Sequence, residues 1–322
     1  QQPRQRHGAG TMGMAELTRD DLRSVLGVGH VGSGAASLRT VSTVQHEGFD
    51  LHEIAVSRGT RALPGLLVLP AGAAGPLPAI LYCHAHGNRY GIGAAELVEG
   101  RPALQAPPYG PVLARAGFAV LCIDMAGFGA RQAEGTESAL AKAALWRGET
   151  LFGQMLADLT AALDALAAHP SIDAARIATL GLSMGATHAY WLAALDDRIA
   201  ACAHMCAFAN VGPLIETGAH DLHGIYMAVP GLLKKGDMGD VAALVAPRPQ
   251  LVAAGLKDPL TPPDALNPAL SRLRQAYESQ GVSNRLTVVT SPDTGHEETP
   301  RTRQAVLGFL RQALRQPPPL TP

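Results

Sequence analysis

The chain has 322 residues, 47 % of them hydrophobic, with 26 Lys and Arg against 27 Asp and Glu and a formal net charge of -1. That balance leaves no basic excess to gather phosphate, so the chain is read as binding neither nucleic acid nor a membrane surface, and no apolar run reaches the length of a membrane span. The four cysteines, Cys83, Cys122, Cys202 and Cys206, are too sparse for a disulfide-stapled secreted domain; three sit in apolar runs and read as buried thiols.

The chain opens Gln-Gln-Pro-Arg-Gln-Arg-His, without a Met or an apolar signal core. A cytoplasmic location is expected if that terminus is native, and a periplasmic or secreted one if it is processed. Residues 1–20 are polar and Gly-rich and are expected to be poorly ordered. Leu22–Val31 has weak helical character. Leu38–Gln45 and Leu51–Ser57 alternate enough to pair as antiparallel strands, and Leu63–Leu69 is a third β-run. Ala79–Cys83 is short and wholly apolar, as suits a strand covered on both faces. Residues 87–108 show no clear period. Val112–Ala116 reads as a short helix and Phe118–Asp124 as another buried strand. Thr150–Ala168 carries Leu151, Met155, Leu159, Leu163 and Leu166 on a helical stripe that Pro170 stops.

Arg176–Leu180 is β-type, a tight turn follows, and Ala186–Leu195 is helical. Ile199–Met205 is apolar again, whereas 207–240 is irregular. Gln250–Gly255 and Arg285–Thr290 read as strands, Pro263–Gln280 and Thr302–Leu314 as helices, and the Pro-rich tail 316–322 as unfolded. Short apolar strands alternating with helices predict an α/β fold: a mainly parallel central sheet with helices on both faces and an antiparallel N-terminal extension. Residues 21–315 are expected to form one domain, with 87–108 and 207–240 as cap segments over the strand ends.

The turn between strand and helix reads Gly181-Leu182-Ser183-Met184-Gly185, the G-x-S-x-G of a nucleophile elbow in the strand–turn–helix setting that the motif requires. A serine held at such a bend needs neighbours almost without side chains, and Gly181 and Gly185 supply that room. The following helix turns its N-terminus toward the site, where partial positive charge favours an oxyanion. Serine needs a base, and the base an orienting carboxylate. In the α/β-hydrolase fold the acid follows the serine and the histidine comes last. The one histidine beyond residue 223 is His296. Asp258, just past the strand Gln250–Gly255, is the chosen acid; Asp264 and Asp293 are the alternatives. The expected oxyanion donors are the N–H of Met184 and that of His86, in the loop after Ala79–Cys83, with Gly87 or Asn88 in its place if the register differs.

Beyond these residues, His84-Ala-His-Gly87, Asp124-Met-Ala-Gly-Phe-Gly-Ala-Arg131, Val229-Pro-Gly-Leu-Leu233, Ala246-Pro-Arg-Pro-Gln-Leu-Val-Ala-Ala-Gly-Leu-Lys-Asp-Pro259 and Thr294-Gly-His-Glu297 stand in order along the chain. Together with the elbow, this set resembles the serine α/β-hydrolases of the dienelactone hydrolase and acetyl xylan esterase-like group. The resemblance implies an α/β-hydrolase fold, a triad of Ser183, Asp258 and His296, and a structural role for Asp124 and Arg131 beneath the site. Two departures are visible: serine stands where dienelactone hydrolases carry a cysteine nucleophile, and Ala85 replaces the first glycine of a His-Gly-x-Gly loop.

The expected activity is hydrolysis of carboxylic esters, small acyl or acetyl esters foremost, through an acyl-enzyme. The partner is a small-molecule ester, and neither cofactor nor metal is called for. A peptidase or other acyl hydrolase on the same triad is the nearest alternative. A metal-dependent hydrolase built on His84, His86, His204, His220 and His223 is a further one, disfavoured because no signature such as H-E-x-x-H occurs.

Overall fold

The computed structural model describes residues 16–29 and 35–315. The tail at 316–322 and most of the N-terminal segment expected to be poorly ordered lie outside the described residues. Residues 16–20 depart from that expectation. Helix α1 (Arg19–Leu26) starts among them because Thr18 and Asp21 exchange the reciprocal bonds of a capping box, and Leu17 and Leu22 bury themselves in the core.

The chain then forms β1 (Ser37–His46), β2 (Phe49–Arg58), β3 (Arg61–Pro70), β4 (Leu77–Cys83), α2 (Glu96–Glu99), α3 (Tyr109–Arg115), β5 (Ala119–Ile123), α4 (Glu137–Trp146) and α5 (Leu151–Ala167). Next come β6 (Ile172–Leu182), α6 (Met184–Leu195), β7 (Ile199–Met205), α7 (Val211–Thr217), α8 (Met238–Ala243), β8 (Gln250–Gly255), α9 (Pro263–Ser279), β9 (Leu286–Ser291) and α10 (Pro300–Arg315).

One sheet takes the strands in the order β1-β2-β3-β5-β4-β6-β7-β8-β9. The ladders from β1 to β5 are antiparallel, and those from β5 through β4 to β9 are parallel. This is the α/β-hydrolase fold expected from the sequence, antiparallel extension included. The period of two explains the layering. In β4, Ala79, Leu81 and Cys83 join one core with α1, α5, α6 and α9, while Ile80 and Tyr82 join a second core with α3 and α10. Strand β1 is the exposed edge; its Val41 and Val44 face solvent.

Two departures from the sequence reading have plain causes. Helix α4 has no counterpart in the sequence reading because its Ala-rich run carries no apolar stripe, and its last residue, Trp146, is 91 % exposed. Segment 207–240, expected to be irregular, contains α7 and the start of α8, both too short to register a helical period.

The connection that leaves β4 returns on one side of it as β5, and the chain then crosses to the other side as β6. Loops therefore diverge between the C-terminal ends of β4 and β6, the switch point at which open α/β sheets leave room for a ligand. Among the described residues no helix is long and apolar enough to cross a membrane.

Candidate active site

Ser183 stands between β6 and α6 with φ +59° and ψ -122°, one of three non-glycine residues at positive φ among those described. Such backbone costs roughly 1–3 kcal/mol and persists only where its surroundings enforce it. Here Ser183 N–H donates to Met205 O at 2.8 Å, and Ser183 O accepts from Thr187 N–H at 3.1 Å. The flanking glycines allow close approach. A Cβ on Gly181 would fall inside the backbone of Gly185, and one on Gly185 inside the carbonyls of Cys83 and His84. The elbow is thereby pressed against the end of β4. At its far end, α6 is capped by Arg248, whose guanidinium donates to Ala193 O at 2.6 Å and Ile199 O at 2.7 Å.

His296 Nε2 lies 2.8 Å from Ser183 Oγ, and its Nδ1 lies 2.7 Å from Asp258 Oδ2. Asp258 is almost wholly buried, and its Oδ1 accepts Leu260 N–H at 2.9 Å. The two alternative acids lie elsewhere: Asp264 is exposed in the first turn of α9, and Asp293 is exposed and paired with Lys257 at 3.2 Å. Backbone bonds hold the Asp258 and His296 loops together, Leu256 N–H to Ser291 O and Lys257 N–H to Thr294 O, each at 2.9 Å. Gly255 is required there, since a Cβ would strike Gly295 O.

A clamp that the sequence did not reveal fixes the far side of the His296 loop. Buried Glu298 accepts from Arg303 Nε at 2.9 Å, Arg303 Nη2 at 2.8 Å, Gln105 N–H at 2.8 Å and the hydroxyl of Tyr109. Arg303 also lies 3.9 Å from the centre of the Tyr109 ring.

The loop after β4 carries His86. Ala85 N–H donates to Glu96 Oε2 at 3.0 Å, Asn88 N–H to His86 Nδ1 at 3.0 Å and Arg89 N–H to His86 O at 3.0 Å. Asn88 is thus spent within the loop, leaving the N–H groups of His86 and Gly87 as its candidate donors. Met184 N–H is the first of α6 and has no intrahelical acceptor. Beneath the loop, Glu96 also pairs with Arg101 and accepts from Tyr82 Oη at 2.7 Å, while Arg101 Nη2 donates to Ala85 O at 3.0 Å. Burial pushes the Glu96 carboxyl up, against the pull of Arg101. Asp124 and Arg131 tie the neighbouring loop. Asp124 accepts Ala94 N–H at 2.6 Å and Ala130 N–H at 2.9 Å, and Arg131 donates to Asp124 O at 3.0 Å and Asp158 Oδ2 at 2.8 Å.

Four of the five histidines of the metal alternative are partnered separately with protein groups, and the fifth, His220, lines the apolar cavity within 211–238. His84 Nε2 accepts Met125 N–H at 3.1 Å, and burial lowers its pKa to about 4. His86 Nε2 pairs with Glu137, His204 Nε2 with Gln250 at 2.9 Å, and His223 Nε2 with Leu260 O at 2.8 Å. Among the described residues no group of three or more His, Cys, Asp or Glu side chains is placed to hold a metal. An apolar cavity of about 610 Å³ lies within 211–238, lined by Leu214, Ile215 and Ile225 among others; neither Ser183 nor His296 lines it.

A parallel sheet with a strained serine at a strand end, hydrogen-bonded through a late histidine to a buried aspartate, defines an α/β-hydrolase architecture. Residues 78–226 match a family model described as alpha/beta hydrolase fold. YtaP of Bacillus subtilis (strain 168), whose name places it provisionally among hydrolases, is 38 % identical over 256 residues, covering 80 % of this chain and 85 % of its own. The chain belongs to the α/β-hydrolase family. Solved structures with the same fold include a glucuronoyl esterase from Solibacter usitatus, at TM-score 0.66 and 16 % identity, covering 91 % of each chain. Acetyl xylan esterase 1 from Thermoanaerobacterium sp. JW/SL YS485 aligns at TM-score 0.65 and 14 % identity, over 93 % of this chain and 96 % of its own.

Proposed function

We propose that this hydrolase is a serine esterase acting through an acyl-enzyme, with Ser183 as nucleophile, His296 as base and then acid, and Asp258 as the orienting carboxylate. The observation that carries the reading is the unbroken hydrogen-bonded chain from Ser183 Oγ through His296 to Asp258, at 2.8 and 2.7 Å. A carboxylate at Nδ1 selects the tautomer that leaves a lone pair on Nε2 for the hydroxyl proton. Oγ bonds to the ester carbonyl carbon as Nε2 takes that proton. The developing oxyanion is received by the N–H of Met184 and by the loop N–H of His86, each donor contributing about 3 kcal/mol. Collapse breaks the bond to the alcohol, which leaves with the proton from His296; water repeats the sequence and releases the acid.

Segments 87–108 and 207–240 act in this reading as the cap that bounds the pocket. Small acyl groups, acetyl foremost, are the expected acids. That choice rests on the few large aromatics in these segments and on the acetyl xylan esterase of the same fold. A panel of p-nitrophenyl esters from acetate to octanoate tests it. Turnover falling with chain length, and abolished in Ser183→Ala, is expected; a wild-type protein that cleaves none of the panel refutes the esterase reading.

A further inference from the structure

Glu137, the first residue of α4, has no place in the chemistry above, yet its buried carboxylate joins separate parts of the site. One oxygen, Oε2, pairs with His86 Nε2 and accepts the Tyr90 hydroxyl at 3.1 Å. The other, Oε1, accepts Tyr226 N–H at 3.1 Å, from the opposite segment of the proposed cap. Gly224 passes so close that a Cβ there would lie 2.8 Å from Oε1. The His86 ring is stacked against Tyr226 with centroids 5.7 Å apart and meets Phe128 edge-on at 5.1 Å. Because Nδ1 of His86 already accepts Asn88 N–H, its Nε2 must carry the hydrogen that faces Glu137, and the imidazole is held as one neutral tautomer. Ring, loop backbone and cap are therefore fixed through a single side chain.

We infer that Glu137 is a positioning residue for the oxyanion loop, locking His86 and the 224–226 turn of the cap in one arrangement so that the His86 backbone N–H meets the developing oxyanion. This rests on the esterase reading and on His86 as the loop donor. An amide cannot replace the carboxylate. If the oxygen of Glu137→Gln serves His86, its NH2 confronts Tyr226 N–H, and the reverse placement confronts His86 Nε2–H.

The test measures kcat and KM for p-nitrophenyl acetate in the wild type, Glu137→Gln and Tyr90→Phe, each normalised to active sites titrated with a fluorophosphonate, together with inhibition by a trifluoromethyl ketone. The ketone forms a hemiketal oxyanion on Ser183. Glu137→Gln is expected to lose about 10²-fold in kcat per titrated site with KM changed less than about threefold, and to weaken ketone inhibition by the same factor as kcat. Tyr90→Phe, which removes one bond to Oε2, is expected to lose a few-fold in both, and it carries the test should Glu137→Gln not fold. Unchanged kcat per titrated site and unchanged ketone affinity in the folded variants overturn the inference while leaving the esterase reading intact. Absence of ester turnover in the wild type overturns both.

Discussion

The turn that carries Ser183 and the loop that carries His86 lie side by side at the ends of β6 and β4, but they are held in different ways. The elbow is shaped by its own neighbours: Gly181 and Gly185 within two residues, and the backbone of β4 and β7 against it. The His86 loop has little of this. Its shape depends on Glu96, Arg101 and Glu137, side chains from 11 to 51 residues away in sequence from the loop groups they bind. One element is specified by sterics at contact distance, the other by charged groups removed from water, which are costly to leave unpaired. Side chains added to the glycines that shape the first should cost folding, whereas loss of the charged groups that hold the second should cost catalysis together with stability that depends on pH.

The largest effect expected on this contrast is on turnover. Ser183→Ala should lower kcat about 10⁶-fold with an unchanged melting profile, since Ala keeps the Cβ and the backbone strain; steady-state kinetics beside calorimetry checks both. Next is Gly185→Ala, whose Cβ would overlap the Cys83 and His84 carbonyls. A loss above about 3 kcal/mol, or failure to fold, is expected in urea denaturation. A comparable loss from Glu298→Ala, about 3–5 kcal/mol in the same assay, would reflect Arg303 left without its carboxylate and would extend the contrast to the His296 loop.

A smaller effect separates the two elements by pH. Burial works to raise the Glu137 carboxyl, but the hydrogen bond from His86 Nε2–H, with the Tyr226 N–H and the Tyr90 hydroxyl, outweighs it and holds the group below the usual glutamate range. A carboxyl lowered in the folded state takes up its proton first in the unfolded state. Its stabilisation is present above the ordinary glutamate pKa and is lost as pH falls through the lowered folded value. The stability gap between wild type and Glu137→Gln should therefore shrink on acidification through that range, measured by denaturant midpoints at each pH. A constant gap would remove the carboxylate's charge from the account. The smallest effect is at the surface: Lys257→Ala, which breaks the exposed pair with Asp293, should shift stability by less than about 1 kcal/mol.

The same contrast explains what could be read from the chain before its structure. The strands β4, β5 and β8 are continuous apolar runs, because both their faces are covered, and they stood out accordingly. The elbow is a local pattern of five residues, and chain order singled out His296 and a strand-end aspartate, which the fold brings within hydrogen-bonding distance of one another and of Ser183. Glu137 and the Glu298–Arg303 clamp left no such trace. Their partners lie across the fold, Gln105 being 193 residues from Glu298, and a glutamate at a helix start reads as an ordinary first-turn residue whether or not its carboxylate is buried. In the sequence His86 offers only its backbone N–H to the proposed oxyanion site; its side-chain partner, Glu137, lies on α4, a helix without an apolar stripe.

The central claim is that the Ser183 hydroxyl, activated by His296, takes up the acyl group. Reaction with a fluorophosphonate followed by peptide mass mapping tests it directly. The account predicts one adduct, on the peptide containing Ser183, formed at least about 10³-fold more slowly in His296→Ala. An adduct on another residue, or labelling at Ser183 at the wild-type rate without His296, would contradict it.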